Sequence, residues 1–192
     1  MNIGLFFGSF NPIHHGHLII AQAMLALADL DEVWFIVSPQ NPFKQRKSLA
    51  HEFDRYDMVK LAISGNDQMR VSDVEFHMPR PSFTVDTLTY LREKHPDHNF
   101  SLIIGGDNLR SFKKWKNADI ILKEFSLLVY PRPKQAEIIP LLNHESVKLV
   151  EAPMLDISAT YIRKCVRQQK NIRYLVPDSV MNFIIDKKLY QD

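Results

Sequence analysis

Cysteine is nearly missing from this sequence. Cys165 is the single one in 192 residues, which excludes an internal disulfide and fits a reducing, cytoplasmic setting. It falls within a helical pattern and reads as packing. Charge of one sign is lacking too. Lysine plus arginine number 24 against 22 aspartate plus glutamate, a formal net charge of +2, so no basic stripe for nucleic acid is expected. Bases gather only locally, at Lys44-Gln45-Arg46-Lys47, Lys113-Lys114-Trp115-Lys116 and Arg163-Lys164. No apolar run approaches the roughly 18 residues that a membrane span requires. The start has no basic segment leading into an apolar core, so neither a signal peptide nor a membrane span is expected. Repeats and low-complexity tracts are absent. Two nucleotide motifs are missing as well, the Gly-x-x-x-x-Gly-Lys-Ser/Thr loop and the Gly-x-Gly-x-x-Gly fingerprint. The chain is therefore not expected to grip a dinucleotide as dehydrogenases do.

What remains is a chain long enough for one large domain with a real core. Apolar runs bounded by turns recur at Ile3–Phe7, Glu32–Val37, Met69–Ser72, Phe100–Ile104, Ser126–Tyr130 and Val147–Val150. Helical patterns lie between them, at Leu18–Leu30, His51–Ser64, Thr84–Lys94 and Ala118–Lys123. Such alternation predicts an α/β fold with a mainly parallel sheet. Two further helices, over Ser158–Gln169 and Asp178–Lys188, are followed by no strand. Residues 156–192 thus read as a helical C-terminal subregion packed on the 1–155 core within a single domain. In an open parallel sheet ligands sit beyond the carboxyl ends of the strands. The segments after Phe7, Val37, Ile104 and Tyr130 should therefore meet at one crevice.

The first of these is the most informative: Gly8-Ser9-Phe10-Asn11-Pro12-Ile13-His14-His15-Gly16-His17. A strand feeding a helix through such a loop aims free N–H groups and the positive end of the helix dipole at an incoming anion. His14 and His17 share a face if the helix begins near them. Gly16, lacking a Cβ, would let a ligand approach the backbone. Histidines so placed also occur as metal tracts or as surface residues. A three-histidine zinc site is disfavoured, because no cysteine or carboxylate lies nearby at ligand spacing.

Four other segments carry chemistry, each beside a plainer alternative. Asp156-Ile157-Ser158-Ala159-Thr160-Tyr161-Ile162-Arg163 sets hydroxyls at a helix start with an arginine one turn on. That suits phosphate oxygens, or is an ordinary cap with a surface arginine. Gly105-Gly106-Asp107 follows a buried strand and would admit a ribose or an adenine amine, or is a tight turn with Asp107 as cap. Trp115 between lysines is a platform for a flat ring, or core. Thr84, in Ser82-Phe83-Thr84-Val85-Asp86-Thr87-Leu88, would bond a carboxylate, or caps its helix.

Together these segments resemble one family. Residues 8–17 match the Gly-x-Phe-x-Pro-x-His-x-Gly-His signature of the nucleotidylyltransferase superfamily, and Ile157-Ser158-Ala159-Thr160-Tyr161-Ile162-Arg163 resembles its Ile-Ser-Ser-Thr-x-Ile-Arg signature. Asn41-Pro42-Phe43-Lys44, the Thr84 segment, Gly105-Gly106-Asp107 and Lys114-Trp115 are similar to bacterial nicotinate-nucleotide adenylyltransferases. Ala159 departs from the usual serine. Pro81 precedes Ser82 at a position where that family varies.

The resemblance implies a Rossmann-like fold, and an enzyme moving AMP from ATP to nicotinate mononucleotide with release of pyrophosphate. It implies His17 on the α-phosphate with His14 beside it, and Ser158, Thr160 and Arg163 on the β and γ groups. Gly8, Ser9, Phe10 and Gly16 would build the ATP loop, with Gly106 and Asp107 on the adenosine side. Lys44 would come in from the long connection at 38–50, Trp115 would stack on the pyridine, and Thr84 would meet its carboxylate. Arg132 would contribute to the mononucleotide site. Mg²⁺ would ride on the phosphates, with no dedicated protein metal site. The implied partners are these small molecules, not nucleic acid or membrane, and a homo-oligomer stays open. Pantetheine-phosphate adenylyltransferase, sharing the first signature, and a non-catalytic nucleotide sensor on the same fold are the rivals.

Overall fold

The computed structural model describes residues 1–39, 49–131, 140–153 and 155–191. Its strands are β1 (Asn2–Gly8), β2 (Glu32–Val37), β3 (Met69–Ser72), β4 (Asn99–Gly105), β5 (Ser126–Tyr130) and β6 (Val147–Leu149). They form one sheet in the order β3-β2-β1-β4-β5-β6. Every neighbouring pair is parallel. A parallel sheet covered on both faces asks for continuous apolar strands, and all six residues of β2 are buried.

Side chains alternate between the two faces, and helices cover each. On one face Phe6, Phe35 and Val37 pack beneath α1 (His15–Leu27), α2 (Glu52–Ala62), α6 (Ala159–Arg167) and α7 (Asp178–Asp186). Ile20, Met58, Ile162 and Ile184 carry that contact. The C-terminal helices thus join the main core. Ser179 Oγ also donates to the Leu61 carbonyl at 3.3 Å. On the opposite face Leu5, Ile36 and Ile104 pack beneath α3 (Thr84–Lys94), α4 (Gly106–Ser111) and α5 (Ala118–Glu124), through Leu88, Leu109 and Ile121.

Two helices differ from the sequence reading. The first begins at His15, not Leu18, so it takes in His17, and it ends at Leu27 where Asp29 turns into the left-handed region at φ 54°. Helix α4 was not foreseen, because Gly105-Gly106-Asp107-Asn108 has turn composition. No described helix is long and apolar enough to cross a membrane.

The strand order positions the site. Successive strands run outward from β1 through β2 to one side, and the chain then returns through β4 on the other. The carboxyl ends of β1 and β4 therefore flank the crevice at which such sheets bind ligands.

Candidate active site

At the end of β1 the chain turns sharply. A Cβ on Gly8 would stand 2.8 Å from the Phe10 ring, so that ring lies over bare backbone. Phe10 itself holds φ 44°, a strain of about 1–3 kcal/mol for a residue with a side chain. Burial offsets it: the ring is 2 % exposed and meets His17, Phe35 and Phe6 edge-on at 5.2, 5.4 and 5.8 Å.

His14 precedes α1 in an extended conformation, and its carbonyl accepts from the His17 N–H at 2.9 Å. This local bond brings the two imidazoles into a stack, centroids 3.7 Å apart and planes 22° from parallel. His14 is buried and His17 half-buried. No acidic side chain occupies the first turn of α1, so nothing there neutralises the positive end of its dipole. A Cβ on Gly16 would lie 3.0 Å from His14 Nδ1, so the glycine makes room for the imidazole.

Beside this loop, Gly105 ends β4 and Gly106 opens α4. Asp107 lies in the first helical turn, where its charge complements the dipole, and Gly105 takes the capping position expected of Asp107. A Cβ on Gly105 would stand 2.5 Å from Asp107 Oδ1 and 3.2 Å from Tyr130.

Helix α6 comes in from the far end of the sequence. Ser158 is its N-cap, accepting from the Tyr161 N–H at 3.2 Å, so the plainer reading of that hydroxyl holds as well. Arg163 crosses to the histidine loop. Its Nη1 donates to the Asn11 carbonyl at 2.7 Å and its Nη2 to Thr160 Oγ1 at 3.3 Å. Its Nε is buried without a hydrogen-bond acceptor among the described residues. Burial draws its pKa below the ordinary arginine value, which the nearby Tyr190 opposes.

Asn11 and Tyr190 were not among the candidate residues. Asn11 Oδ1 accepts from Tyr190 Oη at 2.8 Å and from the Ala50 N–H at 3.1 Å. Burial pushes the Tyr190 phenol up, against the pull of Arg163 and Arg55. Asn11 sat within the signature motif and could have been noticed. Tyr190 carried no sequence signal, being one aromatic near the end of the chain.

Thr84 and Trp115 stand on the opposite face of the sheet, with α3 and the end of α4. Phe83 holds the N-cap position and Thr84 is the first helical residue, which corrects the cap reading of Thr84. Trp115 is half-buried and tilted on Phe112 at 5.1 Å. Lys116 joins the two segments: its Nζ lies 2.8 Å from Asp86 Oδ2 and 4.7 Å from the centre of the Phe83 ring. Below them Glu75, 2 % exposed, accepts from Thr87 Oγ1 at 2.9 Å. Burial raises its pKa, against the opposing hydroxyls of Ser38, Thr87 and Ser82. Lys44 and Arg132 lie outside the described residues. Among the described residues no three His, Cys, Asp or Glu side chains gather as metal ligands.

Known proteins resemble this chain in sequence and in fold. Residues 5–165 match the cytidylyltransferase-like family model. A protein of Cytophaga hutchinsonii, named a probable nicotinate-nucleotide adenylyltransferase, is 58 % identical over the full length of both chains. One of the same name from Flavobacterium johnsoniae is 44 % identical, again over the whole of both. Among solved structures, the Plasmodium falciparum nicotinic acid mononucleotide adenylyltransferase complexed with NaAD superposes with a TM-score of 0.84 at 22 % identity, covering 98 % of this chain and 97 % of that one. That likeness is one of fold; the curated relatives carry the kinship. With two signature segments meeting at the Arg163–Asn11 contact and relatives matching from end to end, the chain belongs to the nicotinate-nucleotide adenylyltransferase family.

Proposed function

We propose that this chain transfers AMP from ATP to nicotinate mononucleotide. The 5′-phosphate oxygen of the mononucleotide attacks the α-phosphorus. The bond from that phosphorus to the β-bridging oxygen breaks, and pyrophosphate leaves with the electron pair. The nucleophile is already charged near neutral pH, since the second pKa of a phosphomonoester is about 6. No general base is needed, and the protein's work is alignment and stabilisation of charge.

The observation that carries the reading is the 2.7 Å bond from Arg163 to the Asn11 carbonyl, which closes two segments 152 positions apart around one place. There the imidazoles of His14 and His17 would face the α-phosphate. Gly8, Ser9, Phe10 and Gly16 shape the loop. Ser158, Thr160 and Arg163 would hold the β and γ groups, and Gly106 and Asp107 the adenosine side. Thr84, Trp115, Lys44 and Arg132 would receive the mononucleotide. Imidazole, hydroxyl and guanidinium are donors to phosphate oxygens, and none of them brings a negative charge to a hard cation. They fit a Mg²⁺ bound through the triphosphate and water, where it would neutralise phosphate charge. On this reading residues 156–192 are part of one domain with the rest, and the enzyme works in the cytoplasm, where a lone thiol stays reduced.

The test is pyrophosphate release from Mg-ATP with three acceptors: nicotinate mononucleotide, its amide counterpart and 4′-phosphopantetheine. Release with the first, well above the others, is expected. Release with 4′-phosphopantetheine alone would transfer the chain to the pantetheine branch. ATP binding with no release for any acceptor would make it a sensor.

A further inference from the structure

Among the described residues the largest fully buried side chain is charged: Arg55, at 0 % exposure, on α2. No carboxylate bonds to it there. Its partners are four main-chain carbonyls. Nη1 donates to Ser9 at 2.6 Å and to Ser38 at 2.8 Å, Nη2 to Pro39 at 3.0 Å and Nε to Ala50 at 3.0 Å. These carbonyls belong to three stretches of chain: the turn after β1, the exit of β2 and the approach to α2, one residue before its N-cap His51. Neighbouring bonds draw the same stretches together. The Ser38 N–H donates to the Gly8 carbonyl at 2.9 Å, and the Ala50 N–H to Asn11 Oδ1 at 3.1 Å.

Burying a cation is expensive, and burial pulls the Arg55 pKa down to about 10, against the opposing pull of Tyr190 and Glu52. The cost is retained at one place, beneath the loop that carries His14 and His17. A planar fork with donors in fixed directions is the one side chain able to fix several carbonyls at set angles. Because a peptide is planar and trans, holding the Ser9 carbonyl also turns the Phe10 N–H to the side away from the guanidinium.

We propose that Arg55 is a positioning residue for adenylyl transfer: by gathering the carbonyls of Ser9, Ser38, Pro39 and Ala50 on one rigid fork, it sets the histidine loop and the exit of β2 at the spacing the ATP phosphates require. It touches no substrate and acts through the loop. The inference deepens the adenylyl-transfer reading and rests on it.

Arg55→Lys keeps the charge and removes the fork. A misplacement of about 1 Å costs on the order of 10²-fold in rate, so kcat is expected to fall about 10- to 100-fold. Calorimetric titration with Mg²⁺ and adenosine 5′-(α,β-methylene)triphosphate should still find one site per chain, with Kd raised about tenfold. A merely structural arginine would give fewer sites per chain with Kd and the rate per site unchanged, and that result overturns the proposal. Should Arg55→Lys fail to fold, the unaltered protein decides. Its Arg55 Nε–H resonance is expected to shift as the analogue saturates the site, and a resonance that stays put overturns the proposal. If the unaltered chain bound the analogue but released no pyrophosphate with nicotinate mononucleotide, the acceptor assignment would fall, and the titration would still decide Arg55.

Discussion

The two edges of the crevice are built differently. The edge proposed for the phosphates, on the face of α1 and α6, is held by partly buried directional bonds from remote parts of the chain. Arg163 and Tyr190 both converge on Asn11, from 152 and 179 positions away. The edge proposed for the pyridine, on the face of α3 and α4, is held by half-exposed contacts. In the Lys116–Asp86 pair both side chains are 43 % exposed, and Trp115 lies tilted on Phe112. The difference teaches where rigidity is needed. Charge shifts at the phosphates during the proposed reaction, and donors aimed there in advance cost no reorganisation. In the proposed reaction the pyridine ring is only recognised, and half-exposed contacts suffice for that.

By this contrast, breaking the phosphate edge is expected to cost rate and breaking the pyridine edge to cost affinity. The largest effect is expected from His17→Ala, a loss of about 10²-fold or more in kcat, the scale for removing one transition-state donor. Steady-state kinetics on a variant with parent-like melting checks it, and undiminished turnover would erase the contrast. Next comes Trp115→Ala, expected to weaken nicotinate mononucleotide binding by about 1–3 kcal/mol, the range for base stacking on an aromatic. Titration with the mononucleotide reads it; a fall in kcat at unchanged affinity would move Trp115 to the rate-determining side.

Glu75 sharpens the comparison through pH. Burial raises its carboxyl pKa above 4.5, so the folded state holds the proton more tightly than the unfolded chain. Stability is therefore lost as pH climbs from about 4.5 through the folded value. Glu75→Gln is expected to melt progressively higher than the parent across that rise, with no further change in the difference below it. Thermal melts at a series of pH values decide, and a constant difference would mean the hydroxyls around Glu75 hold its anion fully. The smallest effect belongs to Lys116→Ala, about 0–1 kcal/mol for an exposed pair, fading in salt. Melting and KM at low and high salt measure it. A large kcat loss here would show that the pyridine edge, too, governs the rate.

The alternation of apolar runs with helical patterns made the α/β sheet readable, because strands buried on both faces can carry little but Val, Ile, Leu and Phe. His14 and His17 were equally readable, their spacing and the Gly–Pro turn before them being local properties. Arg55 was not read, although a signal existed. It lies on the same helical stripe as Met58 and Val59, where a base at an apolar position asks to be explained. Nothing announced Tyr190. Helix α4 is hidden by glycines that allow a turn and a helix start equally well, and the Thr84 hydroxyl suits a cap as well as a carboxylate, so its sequence does not show that Phe83 holds the N-cap position.

The sequence by itself determined the class of fold and the strand–loop–helix turn that carries His14 and His17, since each depends on neighbours a few residues apart. Only the tertiary structure decided that Asn11 receives Arg163, Ala50 and Tyr190 together. It alone assigned the space at Gly16 to an imidazole, and the carbonyls of three stretches to one buried arginine. Those arrangements follow from which strand ends lie side by side, and parallel pairing across a crossover brings together residues whose separation along the chain says nothing of their distance in space.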